Sequence, residues 1–109
     1  MRLQLVNLIT ASALCAAALL TAPAAQAQEL GGIDFHRFCV ENRDQFQGDV
    51  GTENLPTKAH SWQCVYTPLS GPPIEMPVNT HLACSQQYGP GAWSRAGDRR
   101  DPNSWRCYR

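Results

Sequence analysis

Two copies of one short motif carry most of the residues that could do chemistry. His36 and Cys39 recur as His81 and Cys84, each pair three apart, and residues three apart on a helix share a face. Together the four would make a tetrahedral His/Cys set for zinc. That chemistry needs thiolates, and it competes with a simpler use of sulfur. Beyond Cys15, which lies in the leader described below, the chain holds Cys39, Cys64, Cys84 and Cys107. An even number of half-cystines in an exported chain reads as a disulfide framework. No metal site and no cofactor are therefore expected, and His36 and His81 are read as packing or capping residues whose ring nitrogens bond nearby backbone. With Met1 and Met76 the only methionines, heme or copper ligation has little to draw on.

Nucleophilic chemistry has no footing in the pattern. There is no G-x-S-x-G, and the three histidines have no Ser or Asp partner at a motif spacing. The acidic pairs Asp34 with Glu41 and Asp98 with Asp101 have the residue types of a glycosidase dyad, but a domain of this size has little room for a deep cleft, so they are read as surface carboxylates. The chain is expected not to be an enzyme.

Binding chemistry is better supplied. Residues 95–109 contain Arg95, Arg99, Arg100, Arg106 and Arg109, whereas residues 28–94 are acidic, so the charge is uneven although the whole chain balances to zero. Such a balance argues against bulk nucleic-acid binding. Trp93 stands in a Gly-Pro-Gly-Ala-Trp-Ser loop beside the basic tail, and an exposed ring next to guanidinium groups suits an anionic partner. Trp93, Arg95, Arg99 and Arg100 are the expected contact surface, with an anionic envelope polymer or an extracellular protein as partner. Trp62 and Trp105, each two residues before a cysteine, are expected to pack against disulfides.

The elements that would hold these residues begin with a leader. Met1 and Arg2 precede an apolar run, Leu8 to Leu20, and Ala25-Gln26-Ala27 follows the small-x-small cleavage rule, so residues 1–27 read as a signal peptide. The run is too short to span a bilayer, and no transmembrane segment is expected. Residues 28–109 then form one secreted domain, outside the cell or at its envelope. A chain so short builds a thin core, which makes two disulfides a requirement rather than an ornament.

The domain is duplicated in sequence. His36-Arg37-Phe38-Cys39 is answered 45 residues later by His81-Leu82-Ala83-Cys84, and Ser61-Trp62-Gln63-Cys64 is answered 43 residues later by Ser104-Trp105-Arg106-Cys107. The two pseudo-repeats cover about 34–66 and 77–109. Asp34 caps a helix over Phe35 to about Asp44; Asn79 caps a second, stopped by Gly89-Pro90. The segments around Cys64 and Cys107 read as strands, and Ile74-Glu75-Met76 as a further short one. Gly48 to Lys58, Ser70 to Pro73 and Gly89 to Asn103 read as loops.

The fold class that follows is α+β, a small disulfide-stapled domain with two short helices on a short antiparallel sheet that joins the two S-W-x-C strands. Equivalence of the halves favours Cys39 with Cys64 and Cys84 with Cys107; pairing Cys39 with Cys84 and Cys64 with Cys107 is the alternative. Two roles suit this frame: a binding module, or an inhibitor of an extracellular enzyme such as a protease, presenting Leu69 to Met76 made rigid by Pro68, Pro72 and Pro73.

The pattern from Cys39 through Ala59-His60-Ser61-Trp62-Gln63-Cys64, then Ile74-Glu75-Met76, Ala83-Cys84-Ser85-Gln86-Gln87-Tyr88 and Asp101-Pro102-Asn103-Ser104-Trp105-Arg106-Cys107-Tyr108, resembles a small four-cysteine secreted domain that recurs in actinobacterial exported proteins. The resemblance covers nearly all of residues 28–109. It implies a shared fold and brings no catalytic or binding residue with it. Pro77, just before the second helix, departs from the family's polar run.

Overall fold

A computed structural model of the chain describes residues 26–109. The leader reading, apart from its last two residues, lies outside them. The elements in order are β1 (Glu29–Gly31), α1 (Phe35–Glu41), β2 (Gly48–Glu53), a 3-10 turn (Ala59–Ser61), β3 (Gln63–Pro68), β4 (Ile74–Pro77), α2 (Thr80–Tyr88), β5 (Trp93–Ala96) and β6 (Trp105–Tyr108). This is a small α+β domain, two helices packed on two short antiparallel sheets.

Both helices start where their caps stand. The Asp34 side chain accepts the Arg37 N–H at 3.0 Å and the Asn79 side chain accepts the Leu82 N–H at 3.0 Å, satisfying donors that the first helical turn leaves open. The first helix ends at Glu41, short of Asp44, because Asn42 caps the Phe38 carbonyl with both its backbone N–H and its side-chain amide. Asp44 itself has φ 54, which a right-handed helix does not accept. The second stops as expected at Gly89, whose φ of 105 favours glycine.

Cysteine pairing follows the halves: Cys39 bonds Cys64 and Cys84 bonds Cys107. Each disulfide ties a helix to the last strand of its own half.

The sheets depart from the single one expected. Their orders are β2-β3-β4 and β1-β6-β5, so the two S-W-x-C strands do not meet. Each is the centre of its own sheet, and both of its edges are already taken. The partition is reciprocal, and the structure extends each half a few residues upstream of the sequence repeat: β1, leading into the first half, pairs with β6 of the second, and β4, leading into the second, pairs with β3 of the first. In register, Gly31 faces Cys107 and Met76 faces Cys64. The halves have thus exchanged their first strands, as two chains do in a swapped dimer.

Hydrogen bonds repeat the exchange. The Trp62 indole N–H donates to the Pro102 carbonyl at 2.7 Å, and the Trp105 indole N–H donates to the Ala59 carbonyl at 2.8 Å. Ala59 stands three residues before Trp62, and Pro102 three before Trp105, so each indole is anchored at the same place in the other half. The Ser61 hydroxyl accepts from the Leu55 N–H and donates to the Lys58 carbonyl; the Ser104 hydroxyl accepts from the Asp98 N–H and donates to the Asp101 carbonyl. The spacings are identical in the two turns. The serine and the tryptophan of each motif therefore have structural roles, and the whole arrangement is consistent with an internal duplication.

The tryptophans do not pack on disulfides as expected. Trp105 and Phe35 are buried with Ala59 in a central cluster that Trp62 flanks, while Cys39 with Cys64 and Cys84 with Cys107 belong to separate clusters on either side. Phe35 and Trp62 stack with centroids 3.9 Å apart, which places an aromatic layer at the junction of the halves. From α2, Gln87 and Tyr88 both donate to the Gly32 carbonyl, fixing the β1–α1 connection. Gly31 has φ 141, and a Cβ there would collide with the Tyr88 hydroxyl.

Candidate functional site

Strand alternation divides β5 and β6 into an inner and an outer row. Ser94 and Cys107 face each other on the inner side, where both are buried. Trp93 opposite Tyr108, and Arg95 opposite Arg106, therefore form the outer row. The two rings stack with centroids 4.8 Å apart and planes 26° apart. Trp93 remains 38 % exposed. On the neighbouring strand β1, Glu29 forms a solvent-exposed ion pair with Arg106 Nε at 3.6 Å, and Arg106 Nη1 donates to the Trp105 carbonyl. The result is a patch of two aromatic rings and two cations on the solvent side of a three-stranded sheet.

Trp93 is consequently not in a loop, as its Gly-Pro-Gly surroundings suggest, but opens β5. The structure joins Trp93 and Arg95 and leaves Arg99 and Arg100 elsewhere. Those two lie in the turn at the opposite end of the β5–β6 hairpin, where Asp98 accepts the Arg100 N–H and the Arg99 carbonyl accepts the Ala59 N–H. Arg106 and Tyr108 take their place in the patch. Their signal was in the sequence: Trp105 and Cys107 point inward, which turns Arg106 and Tyr108 outward. Arg109 is tied by its side chain to the Tyr88 carbonyl and by its backbone to Gln28.

The residues weighed for zinc are placed apart by chemistry. Cys39 and Cys84 are both oxidised, so neither offers a thiolate. Among the described residues no group of three or more His, Cys, Asp and Glu side chains is arranged to hold a metal ion. His81 Nδ1 accepts the Ser94 N–H at 3.0 Å, which pins β5 to α2. The Ser94 hydroxyl lies 3.1 Å from the same nitrogen and donates to Thr80 Oγ1 at 2.7 Å. The backbone bond is the role expected of the His81 ring, and the hydroxyl contact joins residues at no motif spacing. Ser94 is 7 % exposed and its neighbouring imidazole nitrogen is already occupied by backbone, which is the geometry of a structural clamp rather than of an activated nucleophile.

A second polar region lies on the other sheet. Glu53 on β2 and Glu75 on β4 flank β3, where Gln63 faces Glu53 and Val65 faces Glu75. The Glu53 carboxyl is held above the ordinary glutamate range, first by its hydrogen bond with Glu75, then by partial desolvation and by the charge of Glu75. The Gln63 side-chain oxygen is buried without a hydrogen-bond partner among the described residues, which adds to the local excess of acceptors. A raised carboxyl pKa stabilises the fold through its protonated form; that contribution is complete below the ordinary glutamate pKa and is lost as pH rises through the raised value. Glu53→Gln is accordingly expected to raise the melting temperature near pH 7 and to leave it unchanged near pH 4, read by scanning calorimetry at both values. An equal change at both would show that Glu75 does not perturb the Glu53 carboxyl.

The fold and these surfaces define a small duplicated domain with four cysteines in two disulfides. No protein-family model matches the chain, and no curated protein or solved structure matches it either. Among the described residues no helix is long and apolar enough to cross a membrane.

Proposed function

We propose that the chain is an exported, non-enzymatic binding module, acting outside the cell or at its envelope, whose contact surface is the outer face of the β1-β6-β5 sheet and whose partner is an anionic polymer. The observation that carries the reading is the stacked Trp93–Tyr108 pair beside Arg95 and Arg106. Ring faces take the apolar face of a sugar or acyl unit, guanidinium groups take phosphate or carboxylate, and a sheet keeps both in fixed register. Export is supported by the leader pattern of residues 1–27 and by an even set of oxidised cysteines. The resemblance to a secreted four-cysteine domain belongs to the same reading.

The test is retention on immobilised anionic polysaccharide or teichoic-acid-like polymer, with a neutral polymer as control. Trp93→Ala is expected to weaken retention about tenfold, in line with the ~1.4 kcal/mol of one well-placed ring contact. Arg95→Ala is expected to weaken it less and to flatten its dependence on salt, since an exposed charge is screened. Retention unchanged in both variants would refute the surface.

A second reading has its own observation. Leu69, at the tip of the β3–β4 hairpin before Pro72 and Pro73, is 83 % exposed. An inhibitor presenting this loop to a protease is supported by that exposure and by the Cys39–Cys64 bond on the adjoining strand. Slowed turnover in a panel of extracellular proteases, abolished by Leu69→Ala, would favour it over the binding module.

A further inference from the structure

The duplication produces two clefts at corresponding places, and they differ in size. The larger, about 460 Å³, lies between the β1–α1 connection and the turn before β6. Its counterpart in the other half lies between the β4–α2 connection and the turn before β3, and has about 80 Å³. Positions correspond across the repeat: Gly32 with Pro77, Ile33 with Val78, Pro102 with Ala59 and Asn103 with His60. The smaller copy is filled by the larger members of two of these pairs. Pro77 supplies a ring where Gly32 has no side chain, and the His60 imidazole stands edge-on to Trp105 with centroids 4.9 Å apart. In the larger copy a Cβ on Gly32 would meet nothing closer than Arg106 Nη1 at 3.5 Å, an ordinary contact.

The walls of the larger cleft select a ligand class. Trp62, stacked on the buried Phe35 ring, forms the aromatic side, and because its indole N–H is already given to Pro102 it offers ring surface alone. Around it stand Asp34, whose Oδ1 accepts the Arg37 N–H, the Asn103 amide, and Arg106, whose Nη1 donates to the Trp105 carbonyl. His36 and Thr52 complete the polar edge. Asp34 and Arg106 are opposite in sign, so the cleft has no surplus charge to reward a strongly ionic ligand. A purely apolar ligand would strip water from these polar groups without replacing it. What fits is a molecule with an apolar face and a rim of groups that both donate and accept. A volume of this order lies within the usual range of about 300–1,000 Å³ for small-molecule sites.

We propose that this cleft binds a neutral saccharide of one or two rings, stacked against the aromatic side and hydrogen-bonded through its hydroxyls to Asp34, Asn103 and Arg106. The site shares Arg106 with the Trp93–Tyr108 patch and is otherwise lined by different residues, and the proposal does not rest on the function proposed for that patch.

The test uses the disulfide-bonded protein, isotope-labelled, titrated with maltose, cellobiose and N,N′-diacetylchitobiose and followed by NMR and calorimetry. At least one sugar is expected to saturate, shifting the Gly32 and Asn103 amides and the Trp62 indole N–H. Asn103→His, which copies the smaller cleft, should weaken that binding about tenfold or more with the melting temperature unchanged. Arg106→Gln, which places in the larger cleft the residue that the other half carries at that position (Gln63), should weaken the binding as well, a readout that stands even where Asn103→His disturbs folding. Three outcomes would overturn the proposal: no saturation with any of the three sugars, binding unaffected by both variants, or shifts confined to Trp93 and Tyr108.

Discussion

Trp105→Ala is expected to leave the domain largely unfolded at room temperature. Trp105 is 5 % exposed in the cluster with Phe35 and Ala59, and its indole N–H holds the Ala59 carbonyl of the opposite half. Truncating a buried tryptophan costs about 3–5 kcal/mol, and an orphaned buried carbonyl adds about 1–3 kcal/mol. A domain of this length has roughly 4–12 kcal/mol in total. Trp105→Phe separates the two contributions, since it keeps a ring in the cluster and deletes the hydrogen bond; most of the loss should then be recovered. Urea denaturation followed by far-UV circular dichroism reads both. A midpoint for Trp105→Ala close to that of the parent would mean that the halves are not held through their tryptophans.

Reduction of the disulfides is expected to unfold the protein in a single transition. Cys39–Cys64 and Cys84–Cys107 join residues 25 and 23 apart, and in the chain-entropy account each such loop is worth about 3.5 kcal/mol. The interlocked sheets determine the form of the transition. Because β4 pairs with β3 and β1 with β6, releasing the Cys39–Cys64 bond loosens a strand of the second half as well as the first. The paired variant Cys39→Ala with Cys64→Ala should therefore weaken hydrogen-exchange protection in both β3 and β6. Loss confined to β3 and its neighbours would show that the halves fold independently.

What could be read from the sequence was what local chemistry decides. Asp34 and Asn79 announce their helices because a side-chain oxygen placed before an apolar run has an obvious donor to accept, and the favoured cysteine pairs followed from the equivalence of the halves. Ile74-Glu75-Met76 formed a strand as expected. Gly48–Glu53 did not look like one: with two glycines and two acids it has weak strand propensity, and it becomes β2 through its register with β3. The exchange of first strands was hidden for the same reason, since pairing between residues as distant as Gly31 and Cys107 is a choice made by the whole fold. The candidate surface was half legible. Trp93 and Arg95 share a face because they are two apart in a strand, whereas proximity in sequence misleadingly attached Arg99 and Arg100, which belong to the turn beyond it.

The central functional claim is that the outer face of the β1-β6-β5 sheet is where a partner docks. NMR titration of the labelled, oxidised protein with a soluble anionic polysaccharide tests it directly. The Trp93 indole and the Arg95, Arg106 and Tyr108 amides are expected to shift together along one saturation curve. Shifts centred instead on Leu69 and the β3–β4 hairpin, or none at a polymer excess, would contradict it.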